Sequence, residues 1–183
     1  MTTGKDRILV VDDDRTNRMM ITYRLEVSGL LTDTAENGNI ALEKLRREQF
    51  DVVLLDIVMP ELDGYATLEH MRADSALRDI PVVMMSALGE MDSVIRCLEL
   101  GAVDYLPKPL DSLLLASRVN AILLKARLEH LEEEREEELG KLASAVAAAR
   151  LDSPAFHELT AFFDYPGSFG RLAREIAQAL RAQ

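Results

Sequence analysis

Five polar residues stand at or just past the ends of apolar runs. Asp12 and Asp13 follow Ile8-Leu9-Val10-Val11, Asp56 follows Val52-Val53-Leu54-Leu55, Ser86 follows Val82 to Met85, and Lys108 comes shortly after Leu106. Three carboxylates brought to one place in a low dielectric repel strongly, and would protonate unless a cation sat among them. A hard divalent ion with oxygen ligands, Mg²⁺ by preference, meets that need. Lys108 adds a mobile positive charge and Ser86 a hydroxyl, which suits a site that receives a small dianion beside a metal. A carboxylate there can attack phosphorus to give an aspartyl phosphate, with the cations and the hydroxyl stabilising the equatorial oxygens in flight. Each residue taken singly has a plainer role. Acidic residues at strand ends often cap the next helix, as Asp14 is placed to do, and a Lys-Pro pair is commonly just a turn.

The elements that would gather these residues are legible as alternating strands and helices. Ile8 to Val11 reads as a strand covered on both faces, and Asp14 to Ser28 as a helix closed by Gly29. On that helix Met19, Met20, Tyr23, Leu25 and Val27 are expected to supply the apolar contacts. Leu31 to Ala35 is a weaker strand, Asn37-Gly38 turns into a helix, and Asp51 to Asp56 is an apolar strand. A helix over Asp63 to Ala73 and a strand over Val82 to Met85 come next. Then follow a helix over Met91 to Leu100, a strand over Asp104 to Leu106, and a helix from Asp111. Strands each followed by a helix imply a parallel sheet with helices on both faces, and ligands of such folds collect at the carboxyl ends of the strands.

Composition narrows the functional classes. Of 183 residues 48% are hydrophobic and 29% charged, the balance of a globular protein with a real core. Acidic residues outnumber basic ones 32 to 21, a net charge of −11, which argues against a chain built to grip phosphate backbones. The one cysteine, Cys97, excludes an internal disulfide framework and a Cys-rich zinc site. His70, His130 and His157 have no partner at ligand spacing. The polar start is no signal peptide, and no run approaches the roughly 20 apolar residues of a membrane span, so a cytoplasmic protein is expected.

The motifs Leu9-Val10-Val11-Asp12-Asp13-Asp14, Leu55-Asp56-Ile57-Val58-Met59-Pro60, Asp63-Gly64, Met85-Ser86-Ala87, Gly101-Ala102 and Tyr105-Leu106-Pro107-Lys108-Pro109 occur in order. Together they resemble the receiver domain of two-component response regulators, over about residues 5 to 127. The resemblance implies a flavodoxin-like, doubly wound five-stranded parallel sheet of order 2-1-3-4-5. It implies that Asp56 is the phosphoacceptor, that Asp12, Asp13 and Asp56 hold Mg²⁺, and that the backbone carbonyl of Val58 is a further ligand. Ser86 takes the place of the switch hydroxyl, Lys108 of the phosphoryl-contacting lysine, and Tyr105 of the aromatic whose rotamer follows phosphorylation. Tyr105 could equally be a packed strand aromatic. Val58 and Leu88 lie where the family flanks the water that hydrolyses the aspartyl phosphate. Both are apolar here, so slow self-dephosphorylation is expected.

Past the receiver the last helix is expected to continue. Leu113, Leu114, Val119, Ile122 and Leu123 are read as serving the receiver core, and Leu124, Leu128 and Leu131 carry the apolar pattern into Glu132 to Glu138. With Arg135 filling one seam position, the stripe through Leu139, Leu142, Val146 and Ala149 is heptad-like with one stutter. Residues 128–150 are therefore expected to form a helical extension, either a coiled coil of two chains or a helix folding back on the receiver. Residues 151–183 read as a short helical hairpin whose apolar faces need a partner. Residues 126–183 hold 11 acidic and 7 basic residues and no basic recognition helix, so no nucleic-acid partner is expected. The expected function is that of a response regulator: Asp56 is phosphorylated by a histidine kinase or phosphotransfer protein, and the change controls a partner or a homodimer formed through the C-terminal helix. The alternative is the N-terminal regulatory part of a larger enzyme such as a nucleotide cyclase or phosphatase. No catalytic output is read from the chain itself.

Overall fold

A computed structural model describes residues 6–87 and 91–148 of the chain. The elements run β1 (Arg7–Val11), α1 (Arg15–Val27), β2 (Leu31–Ala35), α2 (Gly38–Arg47), β3 (Val52–Asp56), α3 (Gly64–Ala73), β4 (Val82–Ala87), α4 (Met91–Glu99), β5 (Asp104–Lys108) and α5 (Ser112–Ala148). The strands form one parallel sheet in the order β2-β1-β3-β4-β5, the flavodoxin-like arrangement expected. The chain divides into two units, residues 1–124 and 125–183.

The apolar runs form strands because both faces of the sheet are covered. Successive side chains of a strand point to opposite faces. Leu9, Val11, Val53, Leu55 and Met84 meet Leu42, Leu68, Met71 and Cys97 of α2, α3 and α4. Ile8, Val10, Leu54, Val83, Met85 and Leu106 meet Ile21 and Leu25 of α1 and Leu115, Val119 and Leu123 of α5. With both faces buried, alternation has no polar partner residue to show, and the runs read as continuously apolar.

Two expectations about helix faces are corrected. On α1 the buried residues are Ile21 and Leu25, while Met19, Met20, Tyr23 and Val27 are exposed. On α5 the receiver core is served by Leu115, Val119 and Leu123, with Ile122 half-buried, whereas Leu113 is 84% exposed and Leu114 is also exposed. Residues two apart on a helix lie about 200° around its axis. An apolar residue displaced by two from the buried stripe therefore faces outward, whatever its hydrophobicity. Two strands also run longer than expected: β4 continues through Ser86 to Ala87, and β5 through to Lys108.

α5 is helical from Ser112 to Ala148, so the expected continuation of that helix is present. Within residues 125–148, Leu128 and Leu131 are exposed, as is the acidic run from Glu132 to Glu138. The expected hairpin at 151–183 and the last seam residue, Ala149, lie outside the described residues. Among the described residues, no helix is long and apolar enough to cross a membrane.

Candidate functional site

The site is assembled by register. Val11 pairs with Leu55 and Asp56 with Met85, so β1, β3 and β4 end close together and present Asp12, Asp56 and Ser86 on one rim. Ala87 pairs with Lys108, which brings the lysine from the edge strand to the same rim.

The first acidic segment is tied down at several points. Asp12 N donates to Ala35 O at 3.2 Å, continuing the ladder one residue past β1. Asp14 caps α1, its carboxylate accepting from Thr16 N at 2.6 Å and Asn17 N at 2.9 Å. Those two backbone bonds hold its carboxyl below the ordinary value. Asp12 Oδ1 accepts from Asp14 N at 2.9 Å and from the Asn17 amide at 3.4 Å. Arg18 Nη1 donates to the backbone carbonyls of Asp12 at 2.6 Å and Asp13 at 2.9 Å. Asn17 and Arg18 were not among the sequence-derived candidates. Their signal was position: both lie in the first turns of the helix that Asp14 starts.

At the centre one carboxylate oxygen from each of Asp12, Asp13 and Asp56 lies within 4.8 Å of the others. Asp12 is fully buried and Asp56 is 5% exposed, whereas Asp13 opens to solvent. Lys108 Nζ stands between the two buried ones, 2.8 Å from Asp12 Oδ2 and 2.7 Å from Asp56 Oδ2. Burial is the main force that pushes the Asp56 carboxyl above its ordinary value, and the Asp12 charge adds to it against the pull of Lys108. Burial also works against the Lys108 charge, but its bonds to Asp12 and Asp56 outweigh that, and its pKa is raised.

These residues fit a divalent cation. Three carboxylates against one ammonium leave two negative charges in a largely buried cluster, and every donor is a hard oxygen. Repulsion between two such carboxylates is about 3 kcal/mol at an effective dielectric near 20. A dication cancels it.

Ser86 is half-buried with its hydroxyl 3.4 Å from Ala87 O, a contact within its own strand. Tyr105 is half-buried and packs against the α2–α4 side of the core. Val58 lies two residues past Asp56 and is 75% exposed. Leu88 lies outside the described residues. Gly64 opens α3 against the backbone of Asp56 and Ile57. Its N–H donates to Ile57 O at 2.9 Å, and a Cβ placed there would meet Asp56 O at 2.2 Å.

Comparison with known proteins agrees with this geometry. A family model described as the response regulator receiver domain matches residues 8–120. The protein named "Probable transcriptional regulator ycf27" of Guillardia theta is 42% identical over 119 residues, 65% of this chain and 46% of that protein. Response regulator PleD of Caulobacter vibrioides is 37% identical over 148 residues, 80% of this chain and 32% of that protein. The chain thus spans about half or less of the length of these curated relatives. Among solved structures, the receiver domain of Francisella response regulator 1452 is 33% identical, with a TM-score of 0.63 over 67% of this chain and 99% of that one. A parallel five-stranded sheet whose rim gathers Asp12, Asp13, Asp56 and Lys108, together with the match over residues 8–120, places the chain in the response regulator receiver domain family of two-component signalling.

Proposed function

We propose that this chain is a phosphorylation-dependent switch whose acceptor is Asp56. A histidine kinase or phosphotransfer protein would present a phosphohistidine. One Asp56 oxygen forms the new O–P bond as the N–P bond breaks, and the imidazole leaves. The observation that carries the reading is the Lys108 ammonium shared between Asp12 and Asp56, at 2.8 and 2.7 Å, at the edge of a three-carboxylate cluster. Asp12, Asp13, Asp56 and the Val58 carbonyl would hold Mg²⁺, which when bound supplies positive charge beside the transferring phosphoryl oxygens. Lys108 is placed to follow those oxygens, since the arrival of a phosphoryl group on Asp56 draws an ammonium more strongly than the carboxylate alone. Ser86 and Tyr105 are the residues that would register the change, the hydroxyl by turning toward the new anion and the ring by repacking.

The partner would approach across α1. Asn17, Met20, Ile21 and Arg24 of α1 line a cavity of about 120 Å³ together with Lys108, Pro109 and Leu110, and Met19 and Tyr23 of the same helix are exposed. An apolar rim next to the acceptor suits docking of a protein donor.

The reading is tested by incubating the full chain with acetyl phosphate and Mg²⁺ and measuring intact mass. One phosphoryl adduct is expected on the native chain and none on Asp56→Asn. A full adduct on the variant overturns the assignment of the acceptor. Phosphotransfer profiling against purified histidine kinases then identifies the donor.

A further inference from the structure

We propose that Arg18 is a positioning residue of the metal site: by holding the peptide carbonyls of Asp12 and Asp13 together, its guanidinium aims the two carboxylates at the cation. The inference rests on the reading of this site as a Mg²⁺-dependent phosphoacceptor. Arg18 Nη1 reaches Asp12 O at 2.6 Å and Asp13 O at 2.9 Å, bridging consecutive peptides where the chain leaves β1. The two aspartates differ in what else holds them. The Asp12 carboxylate has three other partners, Asp14 N at 2.9 Å, the Asn17 amide at 3.4 Å and Lys108 Nζ at 2.8 Å. The Asp13 carboxylate is exposed, and among the described residues no hydrogen bond or ion pair holds it. With no side-chain partner of its own among them, its Cα–Cβ direction is set by its backbone, and Arg18 holds that backbone.

The anchor is itself rigid. Arg18 is half-buried and belongs to the first turns of α1, its N–H donating to Asp14 O at 3.1 Å. The chain from Asp12 to Arg18 thus closes on itself, with the Asp14 cap on one side and the guanidinium on the other. Groups that orient metal ligands without touching the ion typically change metal affinity by about tenfold or more when removed. Coulomb interaction alone gives the opposite sign. A guanidinium next to carboxylates weakens their hold on a dication, so its loss as a mere charge would tighten binding.

The opposing signs make the test decisive. Mg²⁺ titration of the full chain by calorimetry, and separately by thermal stabilisation, gives a half-saturating concentration without any phosphorylation step. Arg18→Met is expected to raise that concentration on the order of tenfold. Arg18→Gln, which retains one donor able to reach a carbonyl, is expected to raise it less, and carries the same expectation of sign should Arg18→Met fail to fold. Arg72→Met is the control for simple loss of a clamp. Arg72 donates to the carbonyls of Arg78, Ile80 and Gly101 at the other end of α3 from the site. Its loss is expected to lower thermal stability while leaving Mg²⁺ half-saturation within about twofold. Arg18 variants that bind Mg²⁺ as tightly as the native chain, or more tightly, overturn the proposal. A native chain that does not bind Mg²⁺ overturns the metal reading and this inference with it.

Discussion

Asp56 is placed where its charge is costly, and that gives a sign to its pH dependence. Burial raises its folded-state pKa above the ordinary 3.8. The stability associated with its proton is therefore fully present below 3.8 and is lost as pH rises through the raised folded value. Asp56→Asn, neutral at every pH, is expected to be more stable than the native chain near pH 7 in the presence of a chelator. The advantage should shrink as pH falls toward 3.8. Urea denaturation at several pH values checks this, and a difference that does not change with pH would contradict it. Val58 carries the expectation for signal lifetime at this scale. Val58 is apolar and 75% exposed, and its side chain has no group to hydrogen-bond a water into line behind a phosphorus on Asp56. Native phosphoprotein should decay slowly at fixed Mg²⁺, and a Val58→Asn, Leu88→Glu double variant faster, on the order of tenfold. Equal decay rates would show that apolar exclusion does not set the lifetime.

At the scale of elements, the packing of α3 on the end of β3 decides how well Asp56 is held. Gly64 brings the start of the helix so close that an added Cβ lies 2.2 Å from Asp56 O and 2.9 Å from Ile57 Cα, both backbone atoms. Neither can swing aside as a side-chain tip could. Gly64→Ala should cost about 2–3 kcal/mol of stability and displace the acceptor's own peptide. A shift in the urea midpoint equivalent to under about 0.5 kcal/mol would mean that the helix start yields more easily than a packed backbone should. In the sequence, a helix starting at Asp63 was readable, and the Asp63 cap on Ala66 N at 2.8 Å accords with that. The close approach was not readable, because it depends on where β3 lies relative to the helix. The faces of α1 and α5 were misread for a related reason. Met19, Tyr23 and Val27 form an i, i+4, i+8 stripe as regular as the buried pair Ile21 and Leu25. Periodicity says that a stripe exists, and only the sheet chooses which one is covered.

For the whole molecule, the question is what the continuation of α5 does. Leu124, Leu128 and Leu131 are 57%, 54% and 56% exposed and follow one another at spacings of four and three. An apolar seam of that spacing is stabilised by a second helix, with Arg135 at the next seam position and the glutamates of the 132–138 run exposed. We expect a parallel dimer through residues 124–149. Light scattering should give a dimer mass for the full chain and a monomer mass for a version ending at Lys125. Equal monomeric masses would contradict the coiled coil. Mutating both Leu128 and Leu131 to Glu should have the same effect as the truncation, since like charges facing across a seam repel.

What the sequence determined by itself was local or periodic. Apolar runs of four marked strands buried on both faces, Asp14 and Asp63 marked helix starts, and Gly29, at φ 89°, marked the left-handed position that ends α1. Position at the ends of the apolar runs marked the acidic residues and the lysine of the site, and the order of the motifs carried the family resemblance. The tertiary structure decided the rest: which stripe of each helix is buried, that Lys108 bridges Asp12 and Asp56, that Ser86 bonds within its own strand, and that Arg18 reaches back to the carbonyls of Asp12 and Asp13. Those facts concern directions and distances between segments far apart in the chain, or a side chain turned against its own loop. A helix repeats every 3.6 residues and a strand every two, so a sequence can show a pattern of faces. It holds no coordinate that says which neighbour each face will meet.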